Sequence, residues 1–353
     1  MKYIAPIWLP GGNLQTIWAA TQSIKSLKPQ LESPSSANLY RRERWTTPDS
    51  DFVDVDYAHS ADHDTRQNAD LKPDQNSSKR PLLVLFHGLE GSSRSHYALA
   101  FAKVAKQRGW AYAVPHFRGC SGEINRAPRA YHSGDYEEVG WMLARLKAAH
   151  DAGHGAAGGG PIIAVGISLG GNALMRWAQE AGTTAAQTVQ AVASVCSPLD
   201  LTASGAAIGK GFNRMVYTRM FLKSMKPQAM RRLAMYPGLF DATALKMSRD
   251  LYEFDNIFTA PVHGFKNTDD YWFRASAKPH MHRIKLPALA LNAINDPFIP
   301  AWSLPKSDSV SPHVTLWQPA QGGHVGFPQG KFPAQVMAMP EAVSSWLATH
   351  LSN

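Results

Sequence analysis

The chain has little cysteine and no long hydrophobic run. Cys120 and Cys196 are the only cysteines among 353 residues, and two distant cysteines give neither a disulfide framework nor the ligand spacing of a metal site. No stretch approaches the roughly 18 apolar residues that a membrane span needs. The N-terminal residues MKYIAPIWLPGG are interrupted by prolines and lack the pattern of a signal peptide. We therefore expect a soluble, cytoplasmic protein, with peripheral membrane contact left open.

Sequence signals for phosphate, nucleic-acid and cofactor binding are also missing. The glycine-rich stretch 152–160 lacks the Gly-Lys-Ser/Thr of a phosphate-binding loop and is interpreted as a linker. The 36 Lys and Arg residues outnumber the 27 Asp and Glu residues, but they are spread along the chain. We interpret this net charge of +9 as a solvated basic surface rather than as a nucleic-acid site. No cofactor is expected.

From residue 81 onward, short apolar strands alternate with helices. This alternation predicts an α/β protein whose mostly parallel sheet is covered by helices on both faces, in a single domain spanning residues 1–353. A β-hairpin is predicted at 41–57, and the polar residues 58–80 are predicted to form a surface loop. Further strands are expected at 81–86, 110–117, 161–165, 189–195, 287–293 and 313–319, and helices at 94–108, 135–149 and 341–351.

Residues 200–282 interrupt this alternation with helix-like pieces that are rich in Met, Phe, Tyr and basic residues. Five of the twelve methionines lie between Met215 and Met235, at a spacing of five that is not a helical stripe. Such a segment between two strands is typical of a cap over an active site, although additional core is the alternative. Six of its basic residues are candidates for contact with anionic lipid headgroups: Arg214, Arg219, Lys223, Lys226, Arg231 and Arg232.

The most informative motif is a serine between two glycines at a strand-to-helix turn. The predicted strand at 161–165 continues into Gly166-Ile167-Ser168-Leu169-Gly170, and a helical pattern follows. This arrangement is typical of a nucleophile elbow, in which a tight turn lifts the serine hydroxyl above the sheet edge. Ser168 is therefore the candidate nucleophile. The alternative is an ordinary turn in which Ser168 caps the helix.

A serine nucleophile needs a base, and the base needs a carboxylate that orients it. In this architecture the acid and then the histidine follow the serine along the chain. Asp296 follows the predicted strand at 287–293, and His324 follows the last predicted strand. Both are expected at the sheet edge that carries Ser168, and they are the predicted acid and base.

Other acids and histidines are weaker candidates. Asp200 also follows a predicted strand and remains an alternative acid, whereas His313 begins a strand and His280 lies in the predicted cap. Two histidine pairs have a spacing that a metal could use but lack further ligands nearby, so no metal is expected there: His59/His63 and His280/His282.

The negative charge that develops on an attacked carbonyl oxygen needs hydrogen-bond donors. We expect one to be the backbone N–H of Leu169, directly after Ser168, and the other to be the N–H of Leu89, in the loop after the strand at 81–86. His87 and Glu90 in that loop are expected to stabilise it rather than to act as base and acid. A Glu90 carboxylate near the entrance would disfavour anionic substrates.

Seven stretches distributed nearly end to end carry a resemblance to a known family. They are WLPGGNLQTIW (8–18), HGLEGSSRSHYA (87–98), HFRGCSGEINRAPRAYHSGD (116–135), GISLGGNAL (166–174), FDNIFTAPVHGFKNTDDYWFRAS (254–276), LNAINDPFIP (291–300) and GGHVGF (322–327). The chain resembles the α/β-hydrolase superfamily, and within it the AB-hydrolase-4 branch of YheT-like hydrolases and esterases. The resemblance implies a sheet of about eight strands with a helical cap, carboxylic-ester hydrolase activity, and Ser168, Asp296 and His324 as nucleophile, acid and base.

These features together predict a serine hydrolase that cleaves a small-molecule carboxylic ester with a short- to medium-chain acyl group. Two alternatives remain open. One is a lipid acyl hydrolase or acyltransferase at a membrane surface, reached through the basic, methionine-rich segment. The other is a catalytically silent binding protein on the same fold, because a fold alone does not establish an activity.

Overall fold

The structure of the protein is a computed structural model that describes residues 2–31, 39–59, 80–152 and 159–351. Most of the predicted loop at 58–80 and of the predicted linker at 152–160 lies outside the described residues, as does His63. No helix within these ranges is both long enough and apolar enough to cross a membrane.

One eight-stranded sheet forms the centre of the described chain. Its strands are β1 (Tyr40–Thr46), β2 (Phe52–Ala58), β3 (Leu82–Phe86), β4 (Ala111–Pro115), β5 (Ile162–Ile167), β6 (Ala191–Val195), β7 (Ala288–Leu291) and β8 (Val314–Trp317). They lie in the order β1-β2-β4-β3-β5-β6-β7-β8. The β1–β2 and β2–β4 pairs are antiparallel, and the other pairs are parallel. The predicted α/β class with a mostly parallel sheet is confirmed.

The antiparallel hairpin of β1 and β2 occupies one edge of the sheet. Across it, Arg42 lies opposite Asp56, and Arg44 lies opposite Asp54. Each guanidinium donates two hydrogen bonds of 2.7 to 2.9 Å to the carboxylate that faces it. Charge-assisted cross-strand pairs of this kind help to fix the register of a hairpin.

The parallel strands in the middle of the sheet end at one level. Phe86 of β3 pairs with Gly166 of β5, and Gly166 pairs in turn with Ser194 of β6. The loops after these strands therefore leave the sheet at the same edge. In α/β sheets this carboxyl edge is where ligands bind.

Helices cover both faces of the sheet. In chain order they are α1 (Gly12–Leu31), α2 (His96–Gln107), α3 (Tyr136–Asp151), α4 (Leu169–Ala181), α5 (Ala185–Thr188), α6 (Leu201–Ile208), α7 (Gly211–Asn213), α8 (Arg219–Met235), α9 (Ala242–Met247), α10 (Leu251–Phe254), α11 (Ala260–Val262), α12 (Thr268–Ala275) and α13 (Ala338–Ala348). The predicted apolar face of α3 is buried with α4 on one side of the sheet. On the other side, Phe101 of α2 packs in one cluster with Val343 and Leu347 of α13.

Helices α6 to α12 form an insertion between β6 and β7, and we call residues 201–283 the helical insertion. It also contains π-helical turns at Arg214–Thr218 and Asp255–Thr259 and a 3₁₀ turn at Lys278–Arg283. Four side chains cap its helices by accepting backbone N–H groups, as short polar residues do at helix starts: Asp200, Asp241, Asp250 and Asn267. Leu222, Leu245 and Phe258 belong to an apolar cluster within the insertion.

The six basic residues that the sequence offers for lipid contact do not form one exposed patch. Arg232 is only 2% exposed. The Lys226 ammonium donates hydrogen bonds to the carbonyl oxygens of Lys246 and Ser248, so its charge is tied to the end of α9. The expectation that all six contact lipid headgroups is wrong for Arg232, because the insertion folds it inward. For the other five residues it stays a prediction.

Candidate active site

Ser168 lies at the turn between β5 and α4 with backbone angles of φ 51° and ψ −119°. These angles strain a residue that carries a side chain, and such strain is held in place by tight surroundings. A Cβ on Gly166 would lie 2.4 Å from the Cα of Gly171, and a Cβ on Gly170 would lie 2.4 Å from the carbonyl oxygen of His87. The glycines on both sides of Ser168 are therefore needed to close the turn.

The three residues predicted as nucleophile, base and acid lie in one hydrogen-bonded line. Ser168 Oγ is 3.0 Å from His324 Nε2, and His324 Nδ1 is 2.9 Å from Asp296 Oδ2. The other carboxylate oxygen of Asp296 accepts the Phe298 N–H at 2.8 Å. With the proton on Nδ1, His324 donates to Asp296 and leaves Nε2 free to accept the hydroxyl proton of Ser168.

The sequence left two alternatives to this arrangement: Ser168 as a helix cap and Asp200 as the acid. Ser168 makes no side-chain hydrogen bond to the start of α4, so it does not act as a helix cap. Asp200 caps α6 through the Ala203 N–H at 3.1 Å and pairs with Lys278 at 3.2 Å. Within the described residues, no group of three or more His, Cys, Asp or Glu side chains is arranged to hold a metal ion.

Two tyrosine hydroxyls hold the loop that contains Leu89. The Gly88 N–H donates to Tyr97 at 3.0 Å, and the Glu90 N–H donates to Tyr131 at 2.9 Å. Between them, the Leu89 N–H has no hydrogen-bond partner in the described part of the chain.

Leu89 and Leu169 line the same cavity as Ser168, and Leu169 begins α4, where the helix dipole is positive.

The remaining polar residues of this loop have structural partners. His87 Nδ1 donates to the Gly88 carbonyl at 2.8 Å, and His87 Nε2 accepts the Phe117 N–H at 3.0 Å. Burial lowers the pKa of His87 to about 3, so the ring is neutral. Glu90 accepts hydrogen bonds from Tyr131 and Gln228, while burial raises its pKa. Both residues thus hold the loop against its neighbours.

A cavity of about 150 Å³ lies between the sheet edge and the helical insertion. Ser168 and His324 line it from the sheet side. The ring of Phe298 lies 4.1 Å from the His324 ring, centroid to centroid, and shields the histidine. Most of the cavity wall from the insertion is apolar, including Ile208, Phe221, Met225, Phe254, Phe258 and Trp272.

The sequence profile of the α/β hydrolase fold matches residues 81–331, which contain all of the strands from β3 to β8. The chain belongs to the α/β-hydrolase family. YheT, a protein of Escherichia coli strain K12 that is named as an esterase, is 39% identical over 311 residues, covering 88% of this chain and 85% of YheT. The predicted YheT-like branch is confirmed, and the protein is a hydrolase of the α/β fold.

A second relative has a different stated activity, and a solved structure shares the fold. Human phospholipase ABHD3 is 25% identical over 334 residues, covering 94% of this chain and 75% of ABHD3. A solved esterase of Pyrococcus furiosus shares the fold with a TM-score of 0.51 at 16% identity, covering 91% of this chain and 95% of the esterase. The shared fold by itself does not choose the substrate.

The N-terminal residues of the hydrolase join the loop after β7 to the loop after β8. Gln15 Oε1 accepts hydrogen bonds from the Gly322 N–H at 2.9 Å and from Asn295 Nδ2 at 3.0 Å. Thr16 Oγ1 accepts the His324 N–H at 2.8 Å. We call Gln15, Thr16 and Asn295 the loop bridge, because these side chains fix the two loops that carry the acid and the histidine.

The loop bridge was not predicted from the sequence, although glycines close to it indicate that two backbones meet there. A Cβ on Gly12 would lie 1.8 Å from the Asn295 carbonyl oxygen, and a Cβ on Gly323 would lie 2.7 Å from the Gly12 carbonyl oxygen. Only glycine allows backbones to approach so closely. The glycines of WLPGGNLQTIW and GGHVGF therefore mark the contact between the two stretches.

Titratable groups from the helical insertion and its surroundings also face the cavity. Asp255 accepts the Trp272 indole N–H at 2.9 Å, and burial raises its pKa to about 6. Burial lowers the pKa of His132 to about 4, so that ring is neutral. Neither group belongs to the line of Ser168, His324 and Asp296.

Proposed function

We propose that this hydrolase is a serine esterase in which Ser168 is the nucleophile, His324 is the base and Asp296 orients the histidine. The observation that carries the proposal is the 3.0 Å distance between Ser168 Oγ and His324 Nε2, continued by the 2.9 Å distance to Asp296. A serine hydroxyl in this position is activated because its proton can move to the histidine as the oxygen attacks.

In the proposed reaction, Ser168 Oγ attacks the ester carbonyl carbon while its proton moves to His324 Nε2. The N–H groups of Leu89 and Leu169 stabilise the oxyanion. His324 then gives the proton to the leaving alcohol oxygen, the ester C–O bond breaks, and the acyl group stays on Ser168. A water molecule then gives a proton to His324 as its oxygen bonds to the acyl carbon. His324 returns this proton to Ser168 Oγ as the bond between Ser168 and the acyl group breaks and the carboxylic acid leaves. No cofactor takes part.

The acyl group is proposed to be short or medium in length. An apolar cavity of about 150 Å³ is known to hold a molecule the size of benzene, and the cavity here has about that volume. Its apolar wall comes from the helical insertion, which we propose to act as a cap over the acyl group.

The direct test is the substitution Ser168→Ala, assayed with nitrophenyl esters of increasing acyl length. We expect kcat to fall by about 10⁴-fold or more, as happens when a serine nucleophile is removed. The exposed Ser307→Ala variant is the control and should retain activity. A fluorophosphonate probe should label Ser168, and an unlabelled but folded protein would favour the silent binding protein instead.

A second candidate function is lipid acyl hydrolysis at a membrane surface, and the outer side of residues 210–223 favours it. Phe221 in this stretch lines the cavity, so the stretch borders the proposed site. Apolar side chains beside cations are typical of surfaces that enter an anionic leaflet. Its exposed side chains are Phe212, Met215, Val216 and Met220, which are 36 to 59% exposed, with Arg214, Arg219 and Lys223 beside them.

Vesicle binding tests this second function. The protein should float with phosphatidylcholine vesicles that contain phosphatidylserine and not with phosphatidylcholine alone. The double substitution Met215→Ser and Met220→Ser should abolish flotation, whereas Met247→Ser should not, since Met247 is 72% exposed elsewhere on the insertion. Equal flotation of all three proteins would count against this surface.

A further inference from the structure

Arg232 is a buried cation whose guanidinium is poorly paired. It lies on α8, lines the cavity that contains Ser168, and is 2% exposed. Its Nε donates one long hydrogen bond of 3.4 Å to the Ala127 carbonyl. Its Nη2 is buried and has no hydrogen-bond partner among the described residues. A buried charged group in this condition is costly unless a partner arrives.

The other arginine that lines the cavity is fully neutralised. Arg118 hydrogen-bonds to the carboxylates of Asp49, Asp51 and Glu138 at 2.6 to 3.0 Å. In the described chain, Arg232 has no carboxylate within ion-pair distance. Burial, assisted by repulsion from Arg118, lowers the pKa of Arg232 despite attraction from Asp51. Arg118 therefore already has carboxylate partners, whereas Arg232 has none in the described chain. Of these two arginines, Arg232 is the one whose charge is left for another anion.

The carboxylates inside the cavity do not fill this role. Glu90 accepts hydrogen bonds from Tyr131 at 3.0 Å and from Gln228 at 2.8 Å. Asp255 accepts the Trp272 N–H at 2.9 Å. Each carboxylate is thus bound by neutral donors and makes no ion pair with Arg232. Burial raises the pKa of the Glu90 carboxyl. The expectation that Glu90 disfavours anionic substrates stays a prediction.

We propose that Arg232 binds a carboxylate or phosphate group of the substrate, so that the natural ester carries an anionic group at a distance from the scissile bond. A planar guanidinium binds the oxygens of either group with paired N–H donors. The inference rests on the proposed function, since Arg232 and Ser168 line the same cavity. It identifies Arg232 as a specificity residue rather than a catalytic one.

The kinetic test compares esters that differ only in the anionic group. One pair is nitrophenyl hexanoate and the nitrophenyl monoester of adipic acid. The other pair is monohexanoylglycerol and its phosphate ester. In Arg232→Met, the ratio of kcat/KM for the anionic over the neutral ester should fall by about 10- to 100-fold, the usual effect of losing a hydrogen-bonded charge.

Two variants control for charge and fold. Arg231→Met removes an exposed neighbouring charge and should keep the wild-type ratio. Arg232→Lys should keep part of the selectivity, because the ammonium retains the charge but not the paired donors. A fall confined to the adipate pair identifies a carboxylate substrate, and a fall confined to the phosphate pair identifies a phosphate ester. An unchanged ratio with both pairs would overturn the proposal.

A binding measurement separates this inference from the catalytic proposal. The Ser168→Ala variant should be stabilised against thermal unfolding by hexanoylglycerol phosphate or by monomethyl adipate, because a ligand that binds the folded state raises Tm. The same variant with Arg232→Met should show no such rise. If Ser168→Ala retained esterase activity, the proposed function would fail. If esterase activity were lost but neither anion raised Tm, only the role of Arg232 would fail.

Discussion

The hydroxyl oxygen of Thr16 accepts a hydrogen bond from the backbone N–H of His324 at 2.8 Å, across 308 residues of sequence. Thr16 touches no part of the cavity in which an ester would react. It holds the loop from which the histidine side chain reaches Ser168. The N-terminal helix of this hydrolase thus acts as a positioning element for the site.

Thr16→Val should reduce kcat by about 10-fold, because the partly buried His324 N–H loses its acceptor and an unmet donor costs about 1–3 kcal/mol. Thr16→Ser keeps the hydroxyl and should restore most of the rate. Thr21→Val removes a hydroxyl that donates to the Ile17 carbonyl of its own helix, and it should behave as wild type. If serine failed to restore kcat while Tm was unchanged, the hydrogen bond would not be the cause.

Tyr97→Phe should lower kcat with little change in KM. The variant removes the acceptor for the Gly88 N–H, so the loop that carries Leu89 loses one of its two fixed points. A donor that stabilises the oxyanion acts in the transition state, and misplacing it should cost about 10-fold in kcat. Steady-state kinetics with a nitrophenyl ester provide the measurement. A rise in KM alone would instead indicate a role in ground-state binding.

Asp296→Asn should lower kcat by about 10⁴-fold, because the amide leaves His324 in the wrong tautomer. Asp200→Asn is the matched control, since asparagine also caps helices well and α6 should stay intact. Both variants are assayed with the same nitrophenyl ester. A large loss in Asp200→Asn together with an active Asp296→Asn would transfer the role of the acid to Asp200.

Asp255→Asn should stabilise the folded protein more at pH 7.5 than at pH 4.5. Burial raises the folded-state pKa of Asp255 to about 6, above its ordinary value. Its contribution to stability is therefore complete only below the ordinary pKa and is lost as the pH rises through about 6. The uncharged amide escapes this loss and can still accept the Trp272 N–H.

Chemical denaturation at the two pH values measures this effect. The difference in unfolding free energy between Asp255→Asn and wild type should grow by about 2 kcal/mol between pH 4.5 and pH 7.5. The exposed Asp308→Asn variant should show no such growth. A difference that is independent of pH would show that Asp255 keeps an ordinary pKa in the folded state.

The sequence predicted the sheet and the meeting of three loops because both follow from local patterns. Short apolar strands identify β3 to β8, and parallel strands that end at one edge bring Ser168, Asp296 and His324 together. The ends of the strands shifted by one or two residues, as with β6, which begins at Ala191 rather than at residue 189. Hydrogen bonds to neighbouring strands decide those ends, and a single strand does not encode them.

Other parts of the site could not be predicted because they depend on contacts between distant residues. The side chains of Gln15 and Thr16 look like ordinary polar residues of an N-terminal helix until the loops after β7 and β8 pack on them. Arg232 and Arg231 look identical in sequence, yet one is buried and the other exposed. Which face of α8 turns inward is set by the packing of Ala229 and Leu222 in the insertion.

The β1–β2 hairpin at one edge of the sheet also bears on whether copies of the protein aggregate in concentrated solution. A free strand edge can pair with the edge of another molecule and start aggregation, and charged edges or short edge strands prevent this. Here one edge is β1, which carries Arg41, Arg42, Glu43 and Arg44 in succession, and the other is β8, which has four residues. We therefore expect the arginine pairs that fix the register of the hairpin also to hinder the addition of strands from neighbouring copies.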